Sequence, residues 1–512
     1  MITHRRIAAV VLCLVIFCAD LYAQKISPQL RDKIYTHKNE PIDIIVSLKS
    51  RINQHQFAQH SRNIKRRLVV KTLKDNADIS AKTARVFLAR KGIENIVWLW
   101  ATNSFACKAN PFVINELAAM TEVESIRYDL SLQIPVSPAY SSAPSESNLN
   151  IINAPAMWNL GFAGQGVVVA VLDSGADIYH PDISSKWRGG SNSWFDPHNH
   201  TTVPYDIDGH GTGATGIIVG GSAGGTAIGA SPDAQWIAAK IFNDSGSASF
   251  SKIHQCLQWL LDPDGDPNTD DSPDIANNSW GILNSTNQCI AEFQQDINLL
   301  NAMDIVVVFA AGNEGPNPAT SVSPANYSNV ISVGAVYSSK VIAGFSSRGP
   351  SPCHQGVFPT IIAPGVNIKT TDLTGGGAFP LSYAYVSGTS FAAPHIAAAA
   401  ALLKNAFPDA NAAQIEQAII FSAEDLGDVG ADYNYGYGLV NVFAAYEYLK
   451  SEFCYADLNL DGYISLADIE VMAGQWLIYP CTDCISDLNS DQTVNMKDFA
   501  HFSRQFAIPG CR

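Results

Sequence analysis

Runs of apolar residues without a polar position on either face alternate with helix-like stretches between residues 150 and 448. The clearest runs are residues 167–172 and 305–309, which are rich in β-branched side chains. Such runs are typical of parallel strands that are buried on both sides of a sheet. Their alternation with helical patterns predicts an α/β fold with a doubly wound, mostly parallel sheet over residues 150–448.

Residues 24–140 carry shorter patterns that predict a separate, small α+β unit. A basic segment, residues 54–91, has the spacing of one or two helices, and a Pro- and Ser-rich linker follows the unit at residues 134–148. Such a linker is typical of exposed, cleavable chain. The strands are predicted at 42–48, 96–100, 101–107 and 123–128, with a short helix at 115–120.

Residues 454–512 contain two near-copies of an acidic loop, residues 457–468 and 487–498. Each copy places oxygen-bearing side chains at loop positions 1, 3, 5 and 9 and an acid at position 12, the spacing that surrounds one Ca²⁺ ion. Gly462 occupies position 6 of the first loop, where the chain must turn sharply, but Gln492 occupies it in the second.

Helical patterns follow both loops, at residues 469–477 and 499–506, so we predict a small α-helical calcium-binding domain. Tyr463 and Thr493 would contribute main-chain carbonyls, and two unliganded acidic turns are the alternative. The predicted ligands are Asp457, Asn459, Asp461, Tyr463, Ser465 and Asp468 in the first loop, and Asp487, Asn489, Asp491, Thr493, Asn495 and Asp498 in the second.

Residues 1–23 begin with a basic pair, continue with an apolar stretch and end at Ala23. This pattern predicts a secretory signal peptide, cleaved after Ala23, that is too short for a membrane-spanning helix. Cys18 leaves a lipoprotein signal as an alternative. Because no later apolar run reaches about 18 residues, we predict an exported or extracellular protein with no transmembrane segment after signal removal.

Composition and charge add two constraints to this picture. A length of 512 residues with 47% hydrophobic and 15% charged residues fits a folded protein of two or three domains. Residues 24–140 hold 18 Lys and Arg against 10 Asp and Glu, whereas residues 141–512 hold 12 against 36. Docking of the two oppositely charged pieces is one interpretation. The basic part lacks interleaved aromatic residues, so no nucleic-acid partner is predicted.

Three chemistry-bearing residues each stand at a turn marked by glycine. Asp173 follows the run at 167–172, His210 lies between two glycines, and Ser390 follows a Gly-Thr pair and opens an alanine-rich helical pattern with Pro394 in its first turn. Taken singly, each residue is better explained by a structural role, Ser390 as a helix cap, Asp173 as a cap or turn residue, and His210 as a structural or surface residue. Together they stand in the order Asp, His, Ser, which is the chain order of the subtilisin triad.

The chain resembles the subtilisin-like (subtilase) serine peptidase family over roughly residues 150–448. Two departures accompany the resemblance, since Gly213 stands where many members have a second His, and Phe391 stands where Met is frequent. The matching segments are residues 171–175, 210–212, 310–315, 388–390 and 393–395.

The resemblance implies a serine endopeptidase that hydrolyses polypeptide substrates through an acyl-enzyme. Ser390 would be the nucleophile, His210 the general base and acid, and Asp173 the residue that orients the imidazole. Asn313, with the Ser390 N–H, would stabilise the oxyanion. The implied substrate-binding residues are Ser279, Trp280, Gly281, Ala311 and Gly312, of which Trp280 has the core of the fold as an equally supported alternative.

Two further resemblances concern the flanking units. Residues 24–140 resemble the inhibitor-type propeptide of the same family, which implies a zymogen matured within residues 128–150, with a permanent N-terminal domain as the alternative. Residues 454–512 resemble a type I dockerin repeat, which implies attachment to a cohesin-like partner, with a calcium-stiffened tail as the alternative. A degenerate peptidase domain acting as a scaffold is the competing function for the whole chain.

The cysteines and a second acidic loop leave several outcomes open. Four cysteines frame the calcium loops, and their order suggests bridges Cys454–Cys481 and Cys484–Cys511, although four cysteines allow three pairings. A Cys256–Cys289 bridge is a further hypothesis. The loop at residues 262–271 is rich in carboxylates and is either a calcium site of the catalytic domain or a solvated acidic loop.

Overall fold

The computed structural model describes residues 25–36, 40–49, 62–133, 147–375, 382–459, 461–480, 484–489, 491–506 and 508–511. The predicted signal peptide and most of the predicted linker lie outside the described residues. Within the described ranges, every helix is too short or too polar to cross a bilayer.

Residues 25–133 form a small α+β unit, with its own core around Ile44, Val46 and Phe105. Its elements are α1 (Pro28–Thr36), β1 (Ile42–Leu48), α2 (Arg62–Ser80), α3 (Lys82–Arg90), β2 (Val97–Leu99), β3 (Ser104–Ala109), α4 (Pro111–Ala119), β4 (Val123–Tyr128) and β5 (Ser131–Gln133). Four strands pair antiparallel in the order β2-β3-β1-β4. The predicted strand at 101–107 begins later, at Ser104, because residues 101–103 turn and Asn103 has a positive φ of 51°.

Residues 147–453 form the α/β unit that the apolar runs predict. Its elements are α5 (Ser147–Ile151), α6 (Ala154–Asn159), β6 (Val168–Asp173), β7 (Trp194–Phe195), α7 (His210–Val219), β8 (Gln235–Lys240), β9 (Ser247–Ser249), α8 (Phe250–Trp259), β10 (Ile275–Asn278), α9 (Gln294–Ala302), β11 (Val306–Ala310), β12 (Ile331–Val336), β13 (Ile361–Pro364), β14 (Ile368–Thr371), β15 (Tyr383–Val386), α10 (Thr389–Ala406), α11 (Ala412–Phe421) and α12 (Val442–Phe453).

Seven strands of this unit form one parallel sheet in the order β13-β12-β11-β10-β6-β8-β7. Strands β10 to β13 extend the sheet from β6 on one side, whereas β7 and β8 lie on the other side, so the direction of strand addition changes between β6 and β10. In open α/β sheets a crevice opens beyond the carboxyl ends of the strands at such a point. Asp173 is the last residue of β6, which places its carboxyl group at this crevice.

Both faces of the sheet are covered by helices, which explains the continuous apolar pattern of the strands. Val169 and Val171 of β6 pack in the core formed with α10, while Ala170 and Leu172 face the core formed with α8 and α9. The alanines of α10 at positions 397–401 are fully buried. Small side chains there allow this helix to lie close against the sheet.

The C-terminal unit adds two helices, α13 (Leu466–Gly474) and α14 (Met496–Phe506). The first begins earlier than the pattern predicts, because Ser465 and Asp468 form a reciprocal capping box at its start. This unit shares a core with the α/β unit, and the Tyr446 hydroxyl donates to the Gly510 carbonyl at 2.9 Å.

The disulfides differ from the suggested ones. Cys454 pairs with Cys511, which overturns both suggested bridges of the C-terminal unit, and Cys289 pairs with Cys353, which overturns Cys256–Cys289. The unit's first and last turns meet on the α/β unit, so its fold brings the two outer cysteines together. Cys484 is also disulfide-bonded, Cys256 is a buried free thiol, and Cys481 lies outside the described residues.

Helix α2 contacts the acidic loop of the α/β unit through basic side chains. The Arg66 side chain is 4% exposed, and it donates to the Met303, Ser272 and Pro273 carbonyls at 2.7, 3.3 and 2.9 Å. It also pairs with Asp270 at 2.8 Å. Arg62 pairs with Asp274 and Lys74 with Asp262.

A second ionic cluster joins β4 to helices α8 and α9. The Arg127 guanidinium donates to both Glu292 carboxylate oxygens, at 2.6 and 2.8 Å. His254 lies between Glu292 and Asp296, each at 2.9 Å. Burial lowers the pKa of His254, but Asp296 and Glu292, one at each ring nitrogen, raise it to about 9.

Candidate active site

Asp173 and His210 meet where strand β6 ends and helix α7 begins. The His210 Nδ1–H donates to Asp173 Oδ1 at 2.8 Å, and both side chains are buried. Close approach of the two elements needs glycine at position 211, because a Cβ there would lie 2.1 Å from the Gly175 carbonyl oxygen and 3.0 Å from Asp173 Cβ. The glycine beside His210 thus allows the carboxylate–imidazole pair.

The environment of His210 raises the pKa of its imidazole above the ordinary value. Burial lowers the pKa of His210, but the Asp173 carboxylate outweighs burial and holds the pKa above its ordinary value, with smaller contributions from Asp208 and Asp206. The Nε2 atom is buried and has no hydrogen-bond partner among the described residues. The imidazole therefore has a basic nitrogen available on the side opposite to Asp173.

Ser390 lies in the first turn of α10, which begins at Thr389, and is 2% exposed. Its hydroxyl donates to the Ser279 carbonyl at 3.1 Å, and it makes no hydrogen bond to His210 within the described part of the chain. The predicted place of Pro394 in the first turn is wrong. Proline is the sixth residue of α10, where it lacks the N–H that would bond to the Ser390 carbonyl.

Asn313 lies just beyond the carboxyl end of β11, beside Ser390. Its Oδ1 accepts hydrogen bonds from the Thr389 N–H at 3.0 Å and the Thr389 hydroxyl at 2.9 Å, which fixes the amide so that Nδ2 points elsewhere. A Cβ at Gly388 would lie 3.6 Å from Asn313 Nδ2 and 3.7 Å from Ser390 N. Both donors thus border the space that this glycine leaves open.

The two departures from the family pattern lie against each other. A Cβ at Gly213 would be 3.2 Å from the Phe391 ring, so phenylalanine occupies space that a side chain at position 213 would use. The same ring packs against His210, with 5.1 Å between ring centroids. The large side chain of Phe391 is thus accommodated because position 213 is glycine.

The predicted substrate-binding residues divide into two groups. Ser279 and Gly281 follow strand β10, and Ala311 and Gly312 follow β11, so their main chains border the crevice. Trp280 instead belongs to the core. Its side chain is 1% exposed and packs edge-on against two buried phenylalanines, Phe293 and Phe309.

A second strand edge at the crevice was missed by the sequence analysis. Strand β5 (Ser131–Gln133) pairs antiparallel with β9 (Ser247–Ser249), and the Leu132 side chain between them is 3% exposed. Asp129 then accepts a hydrogen bond from the Ser251 N–H at 2.9 Å, at the start of α8. The only sequence signal for this edge is the small-residue run at positions 244–249, which resembles an ordinary loop.

The two acidic loops of the C-terminal unit have the same internal hydrogen bonds. Asp457 and Asp487 at position 1 each accept main-chain N–H groups from positions 5 and 6, and Asp468 and Asp498 at position 12 accept from positions 3 and 9. Gln492 adopts a positive φ of 65°, as Gly462 does at 92°. The second loop therefore makes the same turn despite lacking glycine.

The donor set of the loops fits Ca²⁺. One carboxylate oxygen each from Asp487, Asp491 and Asp498 lies within 4.8 Å of the others. Hard oxygen donors converging in this way are those that calcium prefers. The remaining predicted ligands of both loops occupy equivalent loop positions: Asp457, Asn459, Asp461, Tyr463, Ser465, Asp468, Asn489, Thr493 and Asn495.

The acidic loop at 262–271 has a competing partner. Oxygens of Asp262, Asp264 and Asp271 also lie within 4.8 Å of one another, but the Lys74 ammonium donates to Asp262 and, at 3.0 Å, to the Gly265 carbonyl. A lysine charge therefore already neutralises part of this cluster.

The subtilase family, Peptidase S8, matches residues 164–438. Bacillopeptidase F of Bacillus subtilis (strain 168) is 33% identical over 422 residues, which cover 74% of this chain but only 28% of that protein.

The subtilisins are covered more completely. Subtilisin E of Bacillus subtilis (strain 168) is 36% identical over 297 residues, covering 57% of this chain and 69% of that protein. Subtilisin Savinase of Lederbergia lenta is 36% identical over 296 residues, covering 57% of this chain and 96% of that protein.

Proposed function

Because the chain belongs to the subtilase family and is a serine-type endopeptidase, we propose that Ser390, His210, Asp173 and Asn313 carry its chemistry. The observation that supports these assignments is the 2.8 Å contact of Asp173 with His210 at the edge of the sheet where α10 presents Ser390. Polypeptides are its substrates, and the test is whether Ser390→Ala loses peptide hydrolysis.

The proposed reaction begins with rotation of the Ser390 hydroxyl from the Ser279 carbonyl toward His210 Nε2. His210 takes the hydroxyl proton while Ser390 Oγ attacks the scissile carbonyl. The negative charge that develops on the carbonyl oxygen is stabilised by Asn313 Nδ2 and the Ser390 N–H, which border one space beside Gly388.

In the following steps His210 acts first as a general acid and then again as a general base. Protonated His210 gives its proton to the leaving amine, and Asp173 stabilises the imidazolium across the 2.8 Å hydrogen bond. Water then attacks the acyl-enzyme with His210 as base, which releases the acid product and restores Ser390. The substrate chain would pair with the main chain at Ser279–Gly281 and at Ala311–Gly312.

We further propose that residues 24–140 form an inhibitory propeptide. Strand β5 of this segment pairs with β9 at the crevice, as an added strand would. Chain leading from β5 toward the predicted maturation region therefore starts beside the active site. The buried Arg66 and the Arg127–Glu292 pair would hold the segment in place after cleavage.

Arg66→Ala will weaken retention of the cleaved N-terminal segment by about 100-fold, because it leaves the buried carbonyls of Met303 and Pro273 without their donor, at a cost of about 1–3 kcal/mol each. Asp270, Met303 and Pro273 would lose their donor. The measurement is the delay before peptidase activity appears, together with co-elution of the cleaved segment in size-exclusion chromatography.

Arg67→Ala is the matched control, since Arg67 lies next to Arg66 on the same helix but is exposed. It should leave the delay unchanged. An Arg66→Ala protein with the normal delay and full co-elution would contradict the proposed role of α2.

The C-terminal unit is proposed to be a calcium-dependent attachment module of the dockerin type, carried by an exported enzyme and recognised by a cohesin-like partner. Its two equivalent loops support calcium binding. Recovery of the partner from cell-surface extracts should require Ca²⁺, and capture that persists in chelator would instead favour the stiffened-tail alternative.

Asp457→Ala and Asp487→Ala will each lower bound calcium by one ion per chain, and the double variant by two, because each removes the first ligand of one loop. Elemental analysis after desalting measures the calcium content of each variant. Calcium bound by the α/β unit does not affect the result, because it is the same in all variants. Asp428→Ala, at an exposed acid outside both loops, should change nothing. Equal calcium contents in all variants would contradict the two-site assignment.

A further inference from the structure

The helix that carries Ser390 has a defect directly at that residue. In a regular α-helix the N–H of residue i+4 donates to the carbonyl of residue i, and Pro394 stands at i+4 from Ser390. Proline has no N–H and its ring crowds the same carbonyl. The Ser390 carbonyl therefore lacks its helical donor, in a position that is fully surrounded by protein.

A side chain from a different element supplies the missing donor. The Ser279 hydroxyl, fully buried beyond the end of β10, donates to the Ser390 carbonyl at 2.7 Å. Asn277 Nδ2 donates to the same hydroxyl oxygen at 3.0 Å. Because Asn277 fills the acceptor side of the hydroxyl, its single hydrogen is directed to Ser390.

The contact is reciprocal, since the Ser390 hydroxyl donates to the Ser279 carbonyl at 3.1 Å. On the other side of the nucleophile, the Thr389 N–H and hydroxyl are bound to Asn313. The main chain is thus held before Ser390 by the oxyanion residue and after Ser390 by Ser279.

We propose that Ser279 is a positioning residue whose hydroxyl replaces the donor that Pro394 lacks and so fixes the backbone of Ser390. This role is distinct from the main-chain contacts with substrate proposed for the same residue. It rests on Ser390 being the nucleophile. Strand β10 and the nucleophile are thereby linked, so the edge that binds the substrate and the atom that attacks it keep one relative position.

Ser279→Ala should lower kcat, and the rate of labelling by a fluorophosphonate, by about tenfold to a hundredfold, the effect of leaving one buried carbonyl unpaired. KM should stay within about twofold. Pro394→Ala supplies an N–H at the correct position, so the double variant Ser279→Ala/Pro394→Ala should recover to within about threefold of Pro394→Ala alone.

Ser231→Ala is the matched control for losing a buried serine. The Ser231 hydroxyl donates to the helical Ile218 carbonyl at 2.9 Å, far along α7 from the crevice. This variant should lose thermal stability and keep its kcat. If Ser279 had only a structural role, Ser279→Ala would likewise lose stability and keep its kcat.

An unchanged kcat in Ser279→Ala, or a double variant no faster than Ser279→Ala, would overturn the inference while leaving the proposed function intact. If Ser279→Ala does not accumulate as folded protein, the double variant is used instead. Active enzyme in the double variant supports the inference, and inactive enzyme contradicts it. A Ser390→Ala protein that still cleaves would instead overturn the proposed function.

Discussion

Replacing Ser390 by alanine will reduce kcat for peptide hydrolysis by about 10⁶-fold, the scale known from the nucleophile of subtilisin itself. The loss follows because alanine offers no oxygen to attack the carbonyl, while the two oxyanion donors remain and leave a small residual rate. The measurement is cleavage of an unfolded protein substrate, with fluorophosphonate labelling of the same preparation. The variant should also accumulate with residues 24–140 still attached, if cleavage of the linker is autocatalytic.

Ser387→Ala is the matched control, because Ser387 is equally buried, lies three residues earlier and hydrogen-bonds the Asn367 N–H at 2.9 Å. It should be labelled and active. Residual cleavage by Ser390→Ala at more than about a thousandth of the parent rate would show that another group is the nucleophile.

Removing the Asp173 carboxylate will have the next largest effect. Asp173→Ala should lower kcat by about 10⁴-fold, again the scale known from the triad aspartate of subtilisin, since nothing then orients the imidazole or stabilises its charge. Asp173 also raises the pKa of His210. The acidic limb of the kcat/KM profile, where His210 loses its proton, should therefore move to lower pH in the variant.

Asp208→Asn separates the two contributions. Asp208 also raises the pKa of His210, but it contacts the His210 main-chain N–H at 3.2 Å and not the ring. The acidic limb should move in the same direction while kcat changes only a few-fold. An Asp173→Ala enzyme with kcat close to that of Asp208→Asn would contradict the role assigned to Asp173.

The elements that the sequence predicts well are those whose pattern reflects burial alone. The run at 167–172 predicts β6 to within one residue, because a strand covered on both faces must be apolar throughout. The repeated loops at 457–468 and 487–498 are predictable for a related reason. The acids at positions 1 and 12 of each loop accept main-chain N–H groups of the same loop, so the positions of the oxygen-bearing residues indicate the turn.

Features that depend on contacts between distant segments could not be predicted. The edge at Ser247–Ser249 has three small residues and no hydrophobic period, and only its pairing with β5 identifies it. The Cys454–Cys511 bridge depends on where the C-terminal unit packs, which spacing does not encode. Trp280 lies between two residues that border the crevice, but Phe293, just before α9, and Phe309 of β11 surround its ring and place it in the core.

The Cys454–Cys511 bridge has a consequence for durability in a protein-degrading environment. It closes almost the whole C-terminal unit into one covalent ring, since it joins residues 57 positions apart. A single cut in any loop inside the ring opens it without detaching either fragment. A peptidase molecule cut once in this unit by another copy would thus keep the whole unit, and would lose part of it only when a second cut or a reductant follows the first.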